Sequence, residues 1–195
     1  MRFVIATLNP DKLRELRDLL PRDLGDFVGL GEIAGAAPVP ERGKTLEENA
    51  LAKAQAAVAL TGLPAIADDT GLEVDALEGE PGVFSARYAG EGASYAANVR
   101  KLLRRMAGIE PARRTARFRT VCVACFTARP PLVSEGVLEG RITTAARGAG
   151  GFGYDPVFEV EGAGLTLAEL PFERKNAVSH RARAVEGLVR MLRAI

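Results

Sequence analysis

Asp68 and Asp69 stand side by side in "AIADDTG", directly after a short apolar run. Neighbouring like charges repel, so the pair reads as one that expects a cation. Hard carboxylate oxygens suit Mg2+, which keeps several waters and bridges to phosphate oxygens. With a metal near, the second carboxylate can orient or deprotonate a water. Asp-Asp-Thr-Gly is also good turn chemistry, and on either reading "PAIAD" predicts a strand over 64–68 with both acids at its end.

Four further stretches carry reactive or ligand-binding types. In "TLNPDK" the order Asn9, Pro10, Asp11 is a helix start, with Asn9 as N-cap and Pro10 at N1. Lys12 then falls at N3, and the free N–H groups of such a turn can cradle an anion; the plain alternative is a capped helix with a solvated lysine. "ENALAK" sets Asn49 and Lys53 four apart on one helical face, and "VPERGK" puts Glu41 just before that helix, where it could reach a metal. "GGFGYDP" surrounds Phe152 with glycines, a setting for an aromatic ring that stacks on a base. It is not G-x-x-x-x-G-K-[ST], so a P-loop is excluded. "ERKNAVSHRARA" holds Lys175, the only histidine His180, and Arg181. If Ser179 is an N-cap, Arg181 lies in a first turn, where the helix dipole disfavours a cation unless it reaches an acceptor.

Of 26 basic side chains only five are lysines, namely Lys12, Lys44, Lys53, Lys101 and Lys175, and three of these belong to the stretches above. Where Arg is otherwise preferred, a retained Lys points to a need for a compact ammonium. Taken together, the acids, lysines, aromatic platform and donor pair match a metal-bound nucleoside triphosphate.

The elements that must position these residues follow from periodicity. "RFVIAT" (2–7) reads as a buried strand, and 9–20 as a helix with a Leu13, Leu16, Leu19, Leu20 stripe. Residues 45–62 form the clearest helix, opened by a Thr45–Glu48 capping box and stopped by Gly62. Ser94 caps a helix over 95–106; "ARFRTVCVACFTA" (116–128) and "LVSEGVLEGRITT" (132–144) read as a long antiparallel pair. A second T-x-x-E at Thr166 and Glu169 predicts a short helix, and Ser179 opens the last one. This order predicts an α/β protein with a mixed sheet, and the 195 residues fit one domain.

Net charge is +1, which gives no bulk field for nucleic acid or an anionic membrane. No apolar run is long enough to span a bilayer, and "MRFVIATLNP" is too short and too soon broken for a signal peptide, so the expected location is the cytoplasm. Cys122 and Cys125 form a lone C-x-x-C inside a strand, where residues three apart face opposite ways; they read as inert buried thiols.

The motifs "ATLNPDK", "TLEENALAKA", "ADDTGLEVDALEGEPGVFSARYAG", "GGFGYDPVF" and "KNAVSHRA", in that order over nearly the whole chain, resemble the inosine/xanthosine triphosphate pyrophosphatase family. The resemblance implies a single domain over 1–195, with a long mixed central β-sheet flanked by helices. It implies two lobes with an active-site cleft between them, usually in a homodimer. It implies that Thr7, Leu8, Asn9, Pro10, Asp11 and Lys12 meet the triphosphate, with Leu8 where the family usually has Gly. Glu41 and Asp69 match the Mg2+ ligands, Asp69 the catalytic acid, and Lys53 the helix lysine. Thr70 stands in place of a Ser and keeps its hydroxyl, and Phe84 in place of a Tyr. Phe152, Gly153, Tyr154 and Asp155 match the base platform, with Lys175, His180 and Arg181 completing the pocket.

The implied reaction is attack of water, positioned by Asp69, on the α-phosphorus, with pyrophosphate leaving and Lys12, Lys53 and Lys175 neutralising the developing charge. Hypoxanthine and xanthine present a 6-oxo acceptor to the donors of His180 and Arg181, which adenine would leave unpaired. Guanine shares that 6-oxo group, so its rejection must act at the 2-amino group. Two rival readings are a pyrophosphatase for modified pyrimidine triphosphates and a non-catalytic nucleotide- or RNA-binding module.

Overall fold

The computed structural model describes residues 1–195. β1 (Arg2–Ile5) leads into α1 (Pro10–Leu19), followed by β2 (Asp26–Gly29), α2 (Leu46–Thr61) and β3 (Ala65–Val74). The short β4 (Pro81–Gly82) precedes α3 (Tyr95–Arg105), β5 (Thr115–Cys125) and β6 (Leu132–Ile142). β7 (Phe158–Val160), α4 (Phe172–Val178) and α5 (His180–Arg193) complete the chain. The strands form one sheet in the order β2-β1-β3-β5-β6-β7, with β4 on β3. β1 runs parallel to β2 and β3, while β4 is antiparallel to β3 and β7 to β6, so the sheet is mixed as expected.

Two compact units divide the chain. The first comprises 1–69, 120–136 and 180–195; the second comprises 70–119 and 137–179. In the first, the leucine stripe of α1 and the Val185, Leu188, Val189, Leu192 stripe of α5 meet Phe3, Ile5, Ile66 and Cys122 in one core. In the second, Leu102 and Met106 of the α3 region join Leu72, Phe118, Ile142 and Phe158 in another.

Local signals explain the helix starts. Asn9 Oδ1 accepts from the amides of Asp11 and Lys12, and Ser94 and Thr45 accept in the same way from Ala97 and Glu48. Gly62 closes α2 at φ 69, a left-handed position that favours glycine. The box at Thr45 is shifted by one residue, since Glu48 Oε2 accepts from the amide of Lys44 at 2.6 Å.

Two expectations are corrected. The strand predicted to end at residue 68 continues to Val74, so Asp68 and Asp69 are mid-strand residues. The second T-x-x-E forms a turn without a helix: Glu169 does accept from the Thr166 amide, but Thr166 is held in a β-bridge to Glu159 and its hydroxyl donates to the carbonyl of Arg147. Lys175 lies on its own short helix, α4, and Ser179 serves both as the C-cap of α4 and as the residue before α5. Both cysteines are buried and free on β5, as read from the sequence, and burial pushes the Cys122 thiol well above its usual range.

Candidate active site

Strand periodicity decides what the paired carboxylates do. Consecutive residues of a strand face opposite sides of the sheet, so the extension of β3 sends Asp68 and Asp69 to different partners. The repulsion that seemed to call for a cation between them is avoided by geometry, and each acid has cations of its own.

Asp68 faces α1 and α5. Lys12 Nζ stands 3.3 Å from its Oδ2, and Arg181 Nε donates to the same oxygen at 3.0 Å. Arg181 Nη1 also donates to Glu15, a carboxylate buried on α1. Burial alone would raise the Asp68 pKa, but Lys12, Arg181 and Lys53 outweigh it and hold the carboxyl well below its ordinary range. Arg181, only 2% exposed, is held above its ordinary value because Asp68 and Glu15 outweigh the cost of its burial. Arg181, expected to be a base-reading donor, has its Nε and Nη1 engaged in this network.

Asp69 faces α2. Its Oδ1 accepts from Lys53 Nζ at 2.9 Å and its Oδ2 from Asn49 Nδ2 at 3.2 Å. Lys53 Nζ also donates to Glu41 Oε1 at 3.0 Å. Burial works against the Lys53 charge, yet Asp69, Asp68 and Glu41 together raise its pKa above the ordinary value. The loop bearing Glu41 is pinned to α2, because Asn49 Oδ1 accepts from the Gly43 amide at 2.8 Å. A Cβ on Gly43 would lie 2.6 Å from that same oxygen, so the close approach requires glycine.

The donor chemistry here fits Mg2+. Glu41 and Asp69 already converge on one cationic atom, Lys53 Nζ, and both offer only hard oxygens. Lys12, Lys53 and Arg181 oppose Glu15, Glu41, Asp68 and Asp69, three cations against four carboxylates. A polyanion meeting that cluster gains more attraction when it brings a divalent cation with it.

At the start of α1 the expected amide cradle is already filled. The N–H groups of Asp11 and Lys12 are bound by Asn9, Thr7 Oγ1 accepts from the Asn9 amide, and Pro10 has none to give. What this turn offers an anion is the Lys12 ammonium, with Leu8 exposed beside it.

The second unit carries the aromatic motif, and Thr70 is its first residue. The Phe152 ring lies 5.8 Å from that of Tyr95, with Lys175 Nζ 4.7 Å from its centroid. Asp155 Oδ2 accepts both from the Phe152 amide at 2.8 Å and from buried Lys175 at 2.5 Å. Gly151 has φ +67, and a Cβ there would run into the Asp155 carboxylate. Gly153 is also left-handed at φ +63, and the Tyr154 hydroxyl donates to the Ser85 carbonyl. Lys175, expected to neutralise leaving-group charge, has its ammonium on Asp155 of the loop that presents Phe152.

In the first unit, His180 Nδ1 lies 2.6 Å from Thr120 Oγ1. Sequence reasoning missed Glu15 and Thr120. A signal for Glu15 existed, since Lys12, Glu15, Leu16 and Leu19 share one helical face and place a carboxylate within the apolar stripe. None existed for Thr120.

A mixed-sheet α/β protein whose central strand carries two oppositely directed, cation-paired aspartates defines a class of acid–lysine sites suited to phosphate chemistry. The chain belongs to the Ham1 family, whose sequence model matches residues 3–191. It is 50% identical to a dITP/XTP pyrophosphatase of Geobacter sulfurreducens over 94% of this chain and 92% of that one. It is also 50% identical to a dITP/XTP pyrophosphatase of Methylococcus capsulatus, over 100% and 97% of the two chains. Among solved structures, a HAM1 protein from Coxiella burnetii superposes with a TM-score of 0.90 at 41% identity, covering 100% of each chain. The Ham1 protein of Staphylococcus aureus gives 0.88 at 38% identity, over 100% of this chain and 99% of that one.

Proposed function

We propose that this chain is a Mg2+-dependent pyrophosphatase for deaminated purine nucleoside triphosphates, ITP/dITP and XTP/dXTP, which it removes from the nucleotide pool. Water adds its oxygen to the α-phosphorus, the α–β bridging P–O bond breaks, and its electron pair leaves on pyrophosphate. The observation that carries the reading is the convergence of Glu41 and Asp69 on one cation beside Lys12 and Asp68. The names of the half-identical relatives support the substrate class.

Glu41 and Asp69 would hold the magnesium, which supplies charge neutralisation at the phosphates. Asp69 orients the attacking water and accepts its proton, while Lys12 and Lys53 stabilise charge developing on the leaving group. Asp68 and Glu15 position Lys12 and Arg181. Phe152, presented by Gly151, Gly153, Tyr154, Asp155 and Lys175, offers a stacking face for the purine. Homodimer formation and a cytoplasmic location belong to the same proposal. No helix is long and apolar enough to cross a membrane.

Pyrophosphate release across a panel of triphosphates, with Mg2+ or with EDTA, tests the reading. ITP and XTP are expected to exceed ATP, GTP and pyrimidine triphosphates in kcat/KM by orders of magnitude, and EDTA to abolish turnover. Comparable efficiency on GTP would overturn the selectivity, and full activity in EDTA would overturn the metal.

Phe152→Ala gives an independent check. Base–aromatic stacking contributes about 1–3 kcal/mol, so KM for ITP is expected to rise by roughly 5- to 150-fold with kcat little changed. An unaltered KM removes Phe152 from the site.

A further inference from the structure

Thr120 is a buried threonine whose hydroxyl meets the ring of His180. It lies on β5 with no exposed surface, and its hydroxyl oxygen is 2.6 Å from Nδ1 of His180, itself 3% exposed. We propose that Thr120 is a positioning residue that selects the tautomer of His180: its hydroxyl donates to Nδ1, which places the ring hydrogen on Nε2 and makes Nε2 a donor. The inference rests on the proposed function, together with the expectation from the sequence that His180 meets the 6-position of the base.

A neutral imidazole carries one donor and one acceptor, and the bond made by one nitrogen fixes the other. Were Thr120 to accept from Nδ1–H, Nε2 would be a bare acceptor, matched to the 6-amino group of adenine. With Thr120 donating, Nε2–H matches the 6-oxo group of hypoxanthine or xanthine. One buried hydroxyl therefore sets the sign of the discrimination. The partner at Nδ1 is a hydroxyl, and a carboxylate in its place would favour the doubly protonated ring, which has no tautomer to select.

The backbone keeps this pair in register. A Cβ on Gly136 of β6 would overlap the His180 carbonyl and the Ala184 amide, so the first turn of α5 sits against the strand with no room for a side chain. α5 cannot shift toward β6, and the ring reaches Thr120 from a fixed base.

His180 is the only histidine, so a two-bond 1H–15N correlation on histidine-labelled protein reads this one ring without assignment. The wild type is expected to show the Nε2–H pattern, Thr120→Ser to preserve it, and Thr120→Val to give a mixture of tautomers. In parallel, the ratio of kcat/KM for ITP over ATP is expected to fall about tenfold in Thr120→Val and to survive in Thr120→Ser. A wild-type spectrum with hydrogen on Nδ1 overturns the proposal whatever the variants do, as does Thr120→Val retaining both the Nε2–H pattern and the ratio. If the spectra behave as expected but the wild type shows no ITP preference, Thr120 still sets the tautomer and the base-reading role of His180 is overturned.

Discussion

Asp69→Asn is expected to lower kcat for ITP by about 10²- to 10⁴-fold, the usual contribution of a positioned general base, while nucleotide binding remains measurable. The substitution is nearly isosteric and keeps an oxygen where Lys53 donates at 2.9 Å, so the fold should survive. What is lost is the negative charge, together with the acceptor for Asn49 Nδ2 at 3.2 Å. Lys53 retains Glu41 as its anionic partner at 3.0 Å, the pair of hard ligands is reduced to one carboxylate, and no group remains at position 69 to accept a proton from water. Steady-state pyrophosphate release, together with a binding titration using a non-hydrolysable analogue, separates the two effects. Turnover close to wild type would remove Asp69 from the mechanism.

Arg181→Met is expected to produce the largest loss of stability, about 3–5 kcal/mol, because removing one partner of a buried ion network strands the others. Asp68 and Glu15 would remain buried without the guanidinium that faces both, with the Lys12 ammonium still 3.3 Å from Asp68. Against a total stability of about 5–15 kcal/mol, such a loss approaches unfolding. Denaturant melts at pH 7 measure it. Adding Glu15→Gln to Arg181→Met should recover part of the deficit, since it removes one of the two buried carboxylates that faced the guanidinium. A loss below about 1 kcal/mol, as for an exposed pair, would show that the network is not a stabilising unit.

Much of the fold could be read from the chain because its signals are local. Asn9, Thr45, Ser94 and Gly62 each fix a helix boundary by hydrogen bonds or backbone conformation within a few residues. The end of β3 was misread for the opposite reason. Asp-Asp-Thr-Gly is turn chemistry by local propensity, and only the cations of α1, α2 and α5 allow two acids to lie mid-strand. The failed helix at Thr166 has the same origin: the residue is held in a β-bridge to Glu159, and its hydroxyl donates to the Arg147 carbonyl, 19 residues away in sequence.

The candidate site was legible as a list of residues and not as a division of labour. Lys12, Lys53, Glu41 and Asp69 could be named from type and spacing, and the first unit gathers them into two ion-pair groups on β3. That Arg181 is an internal ligand of Asp68 and Glu15, and Lys175 a support for Phe152, depends on partners 113, 166 and 20 residues distant. Thr120 could not be found at all, because a threonine within a strand gives no sign that its hydroxyl meets an imidazole 60 residues later.

Hydrolysis of ITP in oxygen-18 water with Mg2+, followed by 31P NMR of the products, shows which phosphorus the water attacks. Inosine monophosphate carrying the label and unlabelled pyrophosphate are expected, in a ratio of one to one. Label in pyrophosphate, or release of orthophosphate in its place, would place the attack away from the α-phosphorus and contradict the proposed reaction.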